Sequence, residues 1–324
     1  FLCIPLRYIL AQKAAPYAAQ ATLALSDGIG DDMRGICKLC GSEAILKESH
    51  FIPKFVGKWV KKTSVTGFIR DKDQIDKRAQ DIAKEYWLCG DCEELFSKWE
   101  RAFANKVFYP FVNEEKCEAN YDYWMSKFCA SVTWRTLSFT RSRNSRADKT
   151  DEYNKAVDNA ELHLRNYLLG IEPNLNQYEQ HVFPLDPIET TTETEFPPNI
   201  NRYFLRTMAM DIVGNSTDIY IYTKLPKFII LGVVKAKELN KLRSSRISLG
   251  TGKIGPRDYW WPDGFVNYLC DKAEEISRVH RSMPAEHLAR IEEFVQNNPE
   301  KANKSKLIEA MMHDYEMFGD KIFR

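Results

Sequence analysis

Apolar side chains recur at helical spacing in some stretches of this chain and form short continuous runs in others, a mixture that predicts both helices and strands. The first clear pattern begins near residue 33. Ala44-Ile45-Leu46 and Ser49-His50-Phe51-Ile52 predict two short strands. Pro53 suits the first turn of a helix, and Phe55, Val56, Trp59 and Val60 then share one face, with Lys54, Lys58, Lys61 and Lys62 on and beside the other. Residues 63–83 lack a period, because Gly67 and clustered Asp and Lys interrupt it, and predict a polar, partly irregular excursion. Tyr86-Trp87-Leu88 predicts a strand, and from Cys92 onward Leu95, Phe96, Trp99 and Phe103 are spaced for one buried helical face. Pro110 marks the end of that helix or a break near it.

Two further helical patterns follow, at about 121–140 with Trp124, Phe128, Val132, Leu137 and Phe139, and at about 151–169, ending at Gly170. Residues 171–198 hold six acidic residues, no Lys or Arg, and the biased run Glu189-Thr-Thr-Thr-Glu-Thr-Glu-Phe-Pro-Pro198, so a linker or long surface loop is expected. Residues 218–223 and 228–234, joined across Lys224 to Lys227 with Pro226 between, predict a hairpin. The rest turns helical at about 264–281, 285–296 and 304–317. There is no internal repeat.

A chain of 324 residues is long enough for two domains with well-buried cores. With 44% hydrophobic and 28% charged residues, it reads as a globular protein rather than a disordered one, and no apolar run is long enough to cross a bilayer. No membrane partner and a cytoplasmic location are expected. The chain begins at Phe1, and residues 1–32 are rich in Ala and Leu. Arg7 and Lys13 interrupt any signal-peptide core, so Met33 is expected to be the natural start and 1–32 a non-native or disordered extension. The expected divisions are 33–110 as a first domain, 111–170 as a helical region, 171–199 as the acidic linker and 200–324 as an accessory α+β domain.

The net charge of +1 gives no global argument for a nucleic-acid partner, but it conceals an asymmetry. Residues 1–149 carry 24 Lys and Arg against 19 Asp and Glu, whereas 150–324 carry 22 against 26.

Four of the eight cysteines form two Cys-x-x-Cys pairs, Cys37/Cys40 and Cys89/Cys92, separated by 48 residues. Each pair can present two thiolates from a tight turn, and together they complete the tetrahedral four-thiolate shell preferred by structural zinc. Two disulfides or redox motifs are the competing readings. Gly41, directly after the second cysteine, suits a backbone curling around a metal.

The order of these parts is more specific than the spacing. The first cysteine pair is followed by a strand ending in Ser49-His50-Phe51-Ile52-Pro53, and then by Leu88-Cys89-x-x-Cys92 opening a helix. This arrangement, from about Cys37 to Phe103, resembles the zinc-bearing HNH endonucleases of the treble-clef fold. The resemblance implies a zinc-bearing ββα treble-clef domain. With the helices and hairpin predicted further along, the expected fold class is α+β, that domain followed by helices and a mixed α/β-hairpin C-terminal region. The resemblance also implies that His50 is the general base for phosphodiester hydrolysis, assisted by a divalent ion such as Mg2+ or Mn2+. The sequence departs from the family pattern in three places. Ser49 replaces the usual acidic ligand, with Glu48 one place earlier; Lys84 and Glu85 stand where an asparagine is typical; and Glu93 replaces the His or Asn that begins the helix. Glu93, with Glu48, would offer oxygen ligands to the catalytic ion. The bland alternatives are a hydrogen-bonded structural His50, and Glu93 and Glu94 as acidic residues favoured by a helix dipole.

Two basic segments lie in the same half. Residues 54–78 hold eight Lys and Arg against three Asp, and 135–149 hold five against one. Such segments either neutralise phosphates or form an ordinary solvated face. Lys58, Lys61, Lys62, Arg70, Arg141 and Arg143 are the candidate nucleic-acid contacts. In the C-terminal half, Tyr259-Trp260-Trp261-Pro262 is expected to pack a core or cover a sheet edge, and His280, His287 and His313 lack metal-ligand spacing. The expected function is a metal-dependent nuclease acting on DNA. The alternatives are a zinc-binding module that recognises nucleic acid or a protein without cutting, and a purely structural zinc domain. The C-terminal domain is a candidate for a homodimer or protein-partner contact.

Overall fold

Strands near the centre of this protein are apolar on both faces, and the architecture follows from the need to cover both. A computed structural model describes residues 33–71, 74–190 and 195–323. The expectation for residues 1–32 lies outside them.

The first part runs β1 (Arg34–Ile36), β2 (Glu43–His50), α1 (Lys54–Lys62), β3 (Ile69–Asp71), β4 (Gln74–Ala79), β5 (Lys84–Cys89) and α2 (Gly90–Phe103). Strands β1, β2 and β5 form an antiparallel sheet in that order, and β3 and β4 pair as a separate ribbon. Three expectations change here. The two short strands expected at 44–46 and 49–52 are one strand. The register against β5 shifts between Lys47 and Glu48, so Leu46, Ser49 and His50 are all buried, which obscures the period-two signal. The excursion at 63–83 contains β3 and β4. The helix starts at Gly90, before Cys92, with Asp91 and Glu93 in its first turn.

After α2 the chain continues through a π-helical turn (Ala104–Phe108) into α3 (Tyr109–Asn113). Pro110 thus lies in the first turn of α3 and does not end the helical path. Next come β6 (Ala119–Tyr121), α4 (Trp124–Arg143), α5 (Asp151–Leu168), β7 (Gln180–Pro184), α6 (Ile200–Arg206), β8 (Ala209–Gly214), β9 (Ile219–Leu225) and β10 (Phe228–Lys235). Thr150 caps α5 by accepting from the Tyr153 amide, and Gly170 at φ +78° follows its last turn. The chain closes with β11 (Gly252–Ile254), which pairs with β6, then α7 (Phe265–Arg281), α8 (Ala285–Gln296), α9 (Pro299–Asn303) and α10 (Lys306–Phe318).

Strands β7, β10, β9 and β8 form an antiparallel sheet in that order. The β9–β10 hairpin was expected, but its strands extend through Lys224 and Leu225 and leave only Pro226 and Lys227 in the turn, with Lys227 at φ +62°. The segment 171–199 is not wholly a loop. It supplies β7, whose Gln180, His181, Val182 and Phe183 are all buried against β10. This strand carries too short an apolar run to stand out from its acidic flanks.

Ile219, Ile221, Leu225, Phe228, Ile230 and Val234 belong to a core cluster that includes α4 and reaches back to Cys37, without a break at residue 110. Tyr220, Tyr222, Ile229, Leu231 and Val233 belong to a second cluster with α6, α7 and Ala310 of α10. Helix α4 thus covers one face of the sheet and the C-terminal helices cover the other. Trp261 stacks on Phe183 at 4.3 Å and Tyr259 meets the same ring edge-on at 5.5 Å, so this aromatic run packs the second cluster. Among the described residues, no helix is long and apolar enough to cross a membrane.

Candidate metal centre and the adjoining polar site

The turn after β1 brings Cys37 and Cys40 together. The Gly41 amide donates to the Cys37 carbonyl and the Cys37 amide to the Ser42 carbonyl, both at 2.9 Å, and Gly41 at φ +77° completes the turn as its position after Cys40 predicts. The Lys38 amide donates to the Trp87 carbonyl at 3.0 Å, fastening this turn to β5. Strand β5 ends at Cys89, and the first turn of α2 presents Cys92.

The four sulfur atoms lie within 4.8 Å of one another, and all four cysteines are free thiols. Cys40 Sγ and Cys89 Sγ are 3.8 Å apart. A tetrahedral ion with Zn–S bonds of about 2.3 Å requires sulfur atoms roughly 3.8 Å apart. The tetrad therefore fits a metal ion, and it could hold a structural zinc; the disulfide readings are not what the fold adopts. Burial pushes the Cys92 thiol up. Burial also opposes the Cys40 thiolate, but hydrogen bonds from Ser42 outweigh it and bring that thiol to about 6. A bound cation would favour all four thiolates. The ligand set leaves no open position, so the ion would hold β1, β2, β5 and α2 together rather than carry out chemistry.

At the end of β2, His50 is 8% exposed, and its Nε2 lies 3.0 Å from Asp81 Oδ2. Burial opposes ionisation of Asp81, but the His50 hydrogen bond and charge, the Ile82 amide and Lys84 prevail and hold its carboxyl below the ordinary value. Lys84 links Asp81 at 3.6 Å to Glu48 at 2.6 Å. Glu48 is thus engaged on the exposed side of the sheet. Glu93 is half-buried, and burial pushes its carboxyl up against the pull of Ser49, Arg135 and His50. Among the described residues, the cysteine tetrad is the group in which three or more metal-ligating side chains converge. His50, Glu48 and Glu93 do not form a preassembled cation site, because Lys84 takes Glu48 and Asp81 takes His50.

Arg135 completes this polar site from α4. Its Nη1 donates to the His50 carbonyl at 2.9 Å and reaches Glu100 Oε1 at 2.7 Å, its guanidinium lies 5.2 Å from the Phe96 ring centre, and its buried Nη2 has no hydrogen-bond partner among the described residues. Sequence reading missed Asp81, Lys84, Glu100 and Arg135 as site residues. The available signal for Arg135 was a charge between Trp134 and Leu137 on a helix whose neighbours are apolar. Asp81 carried no signal, since its role depends on the loop returning to β2.

The six basic candidates separate. Lys58 and Lys62 are exposed on α1, and Lys61 donates to the Gln80 carbonyl at 3.0 Å. Arg70 is only 6% exposed and so is not on the expected phosphate-binding surface. Arg141 bonds Asn154 at 2.8 Å and Asp158 at 2.5 Å, while Arg143 pairs with Glu85 and lies 4.2 Å from the Phe139 ring centre. The second basic segment is thereby engaged in joining α4 to α5 and β5. No protein-family model matches the chain, and neither does any curated protein or solved structure.

Proposed function

We propose that this protein is an HNH-type endonuclease of treble-clef architecture that hydrolyses DNA phosphodiester bonds, with Cys37, Cys40, Cys89 and Cys92 around a structural zinc. The observation that carries the reading is the His50–Asp81 pair beside the cysteine framework. With Nε2–H donating to Asp81, Nδ1 carries the lone pair that takes a proton from the attacking water. The Asp81 carboxylate orients the ring and stabilises the charge it acquires. Arg135, through the His50 carbonyl, holds the strand end in place. Glu93 is the nearby carboxylate available to a magnesium or manganese ion, which would neutralise charge at the scissile phosphate. Lys58, Lys61 and Lys62 supply phosphate contacts.

A second reading, a nucleic-acid-binding zinc module that does not cut, is favoured by the burial of His50 and the lack of a convergent cation site among the described residues. Incubation of wild type and His50→Ala with supercoiled and linear DNA, with added magnesium or manganese, separates the two. The nuclease reading expects metal-dependent cutting by wild type and none by the variant, at equal zinc content. Binding without cutting by both proteins would overturn it in favour of the module.

A further inference from the structure

The C-terminal end of α1 and the following turn form one wall of an open cleft of about 580 Å³, and α8 and α9 form the other. Lys58, Lys61, Lys62, Lys301 and Lys304 line it against a single carboxylate, Glu300. Ser305 Oγ donates to the Thr63 carbonyl at 3.1 Å and joins the two walls, and Arg206 of α6 fixes the α1 wall by donating to Thr63 Oγ1 at 2.7 Å and to the Val60 carbonyl at 3.0 Å. The lysines therefore face a formed cleft. Phe294 lines the same cleft and is 38% exposed, with Lys301 Nζ 5.3 Å from its ring centre.

We propose that this cleft binds a single-stranded segment of nucleic acid, with backbone phosphates on Lys58, Lys62, Lys301 and Lys304 and one base stacked on Phe294. The inference rests on the nucleic-acid reading above and deepens it by naming the form of ligand and the C-terminal residues that take part. An excess of lysines supplies sequence-independent attraction for any polyanion. The exposed ring narrows the choice, because stacked duplex bases cannot reach it while an unpaired base can. Base stacking on an aromatic ring is stronger than an exposed cation–π contact, so a base displaces the Lys301 ammonium, which is then free to meet phosphate. The cleft also adjoins the polar site. Lys61 bonds the Gln80 carbonyl, and Asp81, the partner of His50, is the next residue.

The test is fluorescence anisotropy on the full chain, without added divalent ion, using a labelled oligo-dT strand and a duplex of equal length. Phe294→Ala is expected to weaken oligo-dT binding about tenfold while changing duplex binding less than twofold, and Phe294→Trp to preserve it. Lys301→Ala with Lys304→Ala is expected to lower the slope of log affinity against log salt for oligo-dT by roughly 0.7 for each phosphate that is no longer neutralised. Unchanged oligo-dT affinity in Phe294→Ala, an equal loss on duplex, an unchanged salt slope in the lysine variant, or no oligo-dT binding by wild type each overturns the proposal. His50→Ala should bind oligo-dT as wild type does. Wild-type protein that binds oligo-dT as proposed but cuts no DNA would overturn the nuclease reading alone, and wild-type protein that cuts DNA but fails the oligo-dT tests would overturn the cleft alone.

Discussion

Arg135 on α4 donates to the backbone carbonyl of His50, 85 residues earlier in the chain, at 2.9 Å. The same guanidinium nitrogen meets Glu100 of α2 at 2.7 Å, so one buried charge ties the end of β2 to two helices. Removing one member of such a pair strands the other, at a cost of roughly 3–5 kcal/mol. Arg135→Met is expected to lower unfolding free energy by about that amount in urea titration, and Glu100→Gln added to it to recover part of the loss. A double variant no more stable than Arg135→Met would show that the ion pair is not the source.

The cysteine tetrad predicts about one zinc per chain and a fold that depends on it. Cys37→Ser or Cys89→Ser is expected to reduce the zinc found by elemental analysis and to lower the melting temperature. A strong chelator should do the same to wild type. In the zinc-loaded native protein these four thiols should react slowly with a thiol reagent, and fast reaction of all four would contradict metal ligation.

Gly232 of β10 lies under α4 so closely that an added Cβ would sit 2.2 Å from Thr133 Cγ2 and 2.8 Å from its Oγ1. Thr133 cannot easily turn away, since its hydroxyl donates to Gln180 of β7 at 2.6 Å. Gly232→Ala is expected to destabilise by about 1–3 kcal/mol, the range for overpacking a filled core. A double-mutant cycle with Thr133→Ala should show a coupling of at least about 0.5 kcal/mol between the two sites.

His181 of β7 is fully buried, 3.1 Å from Ser245 Oγ through Nδ1, and burial lowers its pKa from 6.5 to about 4. Between those values the unfolded chain takes up a proton that the folded chain does not. The folded state therefore keeps its full advantage above pH 6.5 and loses about 3 kcal/mol of it as the pH falls to 4. His181→Gln should flatten this part of the stability profile by about that amount. An unchanged slope between pH 6.5 and 4 would show that another group dominates.

Several parts of this protein are legible in the sequence because their signals are local. The spacing of Cys37, Cys40, Cys89 and Cys92 announces a metal tetrad whose sulfur atoms do come together. Gly170 marks the end of a helix, and the paired apolar runs around Pro226 announce the β9–β10 hairpin. Each rests on residues a few positions apart, or on ligands whose chemistry admits few arrangements.

Other parts were settled only by packing between distant segments. Register slippage at Lys47 joins two expected strands into one, and β7 exists because β10 supplies the partner that its short apolar run needs. The basic residues show the division most clearly. Sequence grouped Lys58, Lys61, Lys62, Arg70, Arg141 and Arg143 by charge alone. Tertiary structure buries Arg70, pairs Arg141 with Asp158 and Arg143 with Glu85, and leaves Lys58 and Lys62 facing a cleft with Lys301 and Lys304. Composition along the chain determines how many charges a protein carries. Whether a charge meets solvent, a carboxylate or a ligand depends on which residues the fold places opposite it.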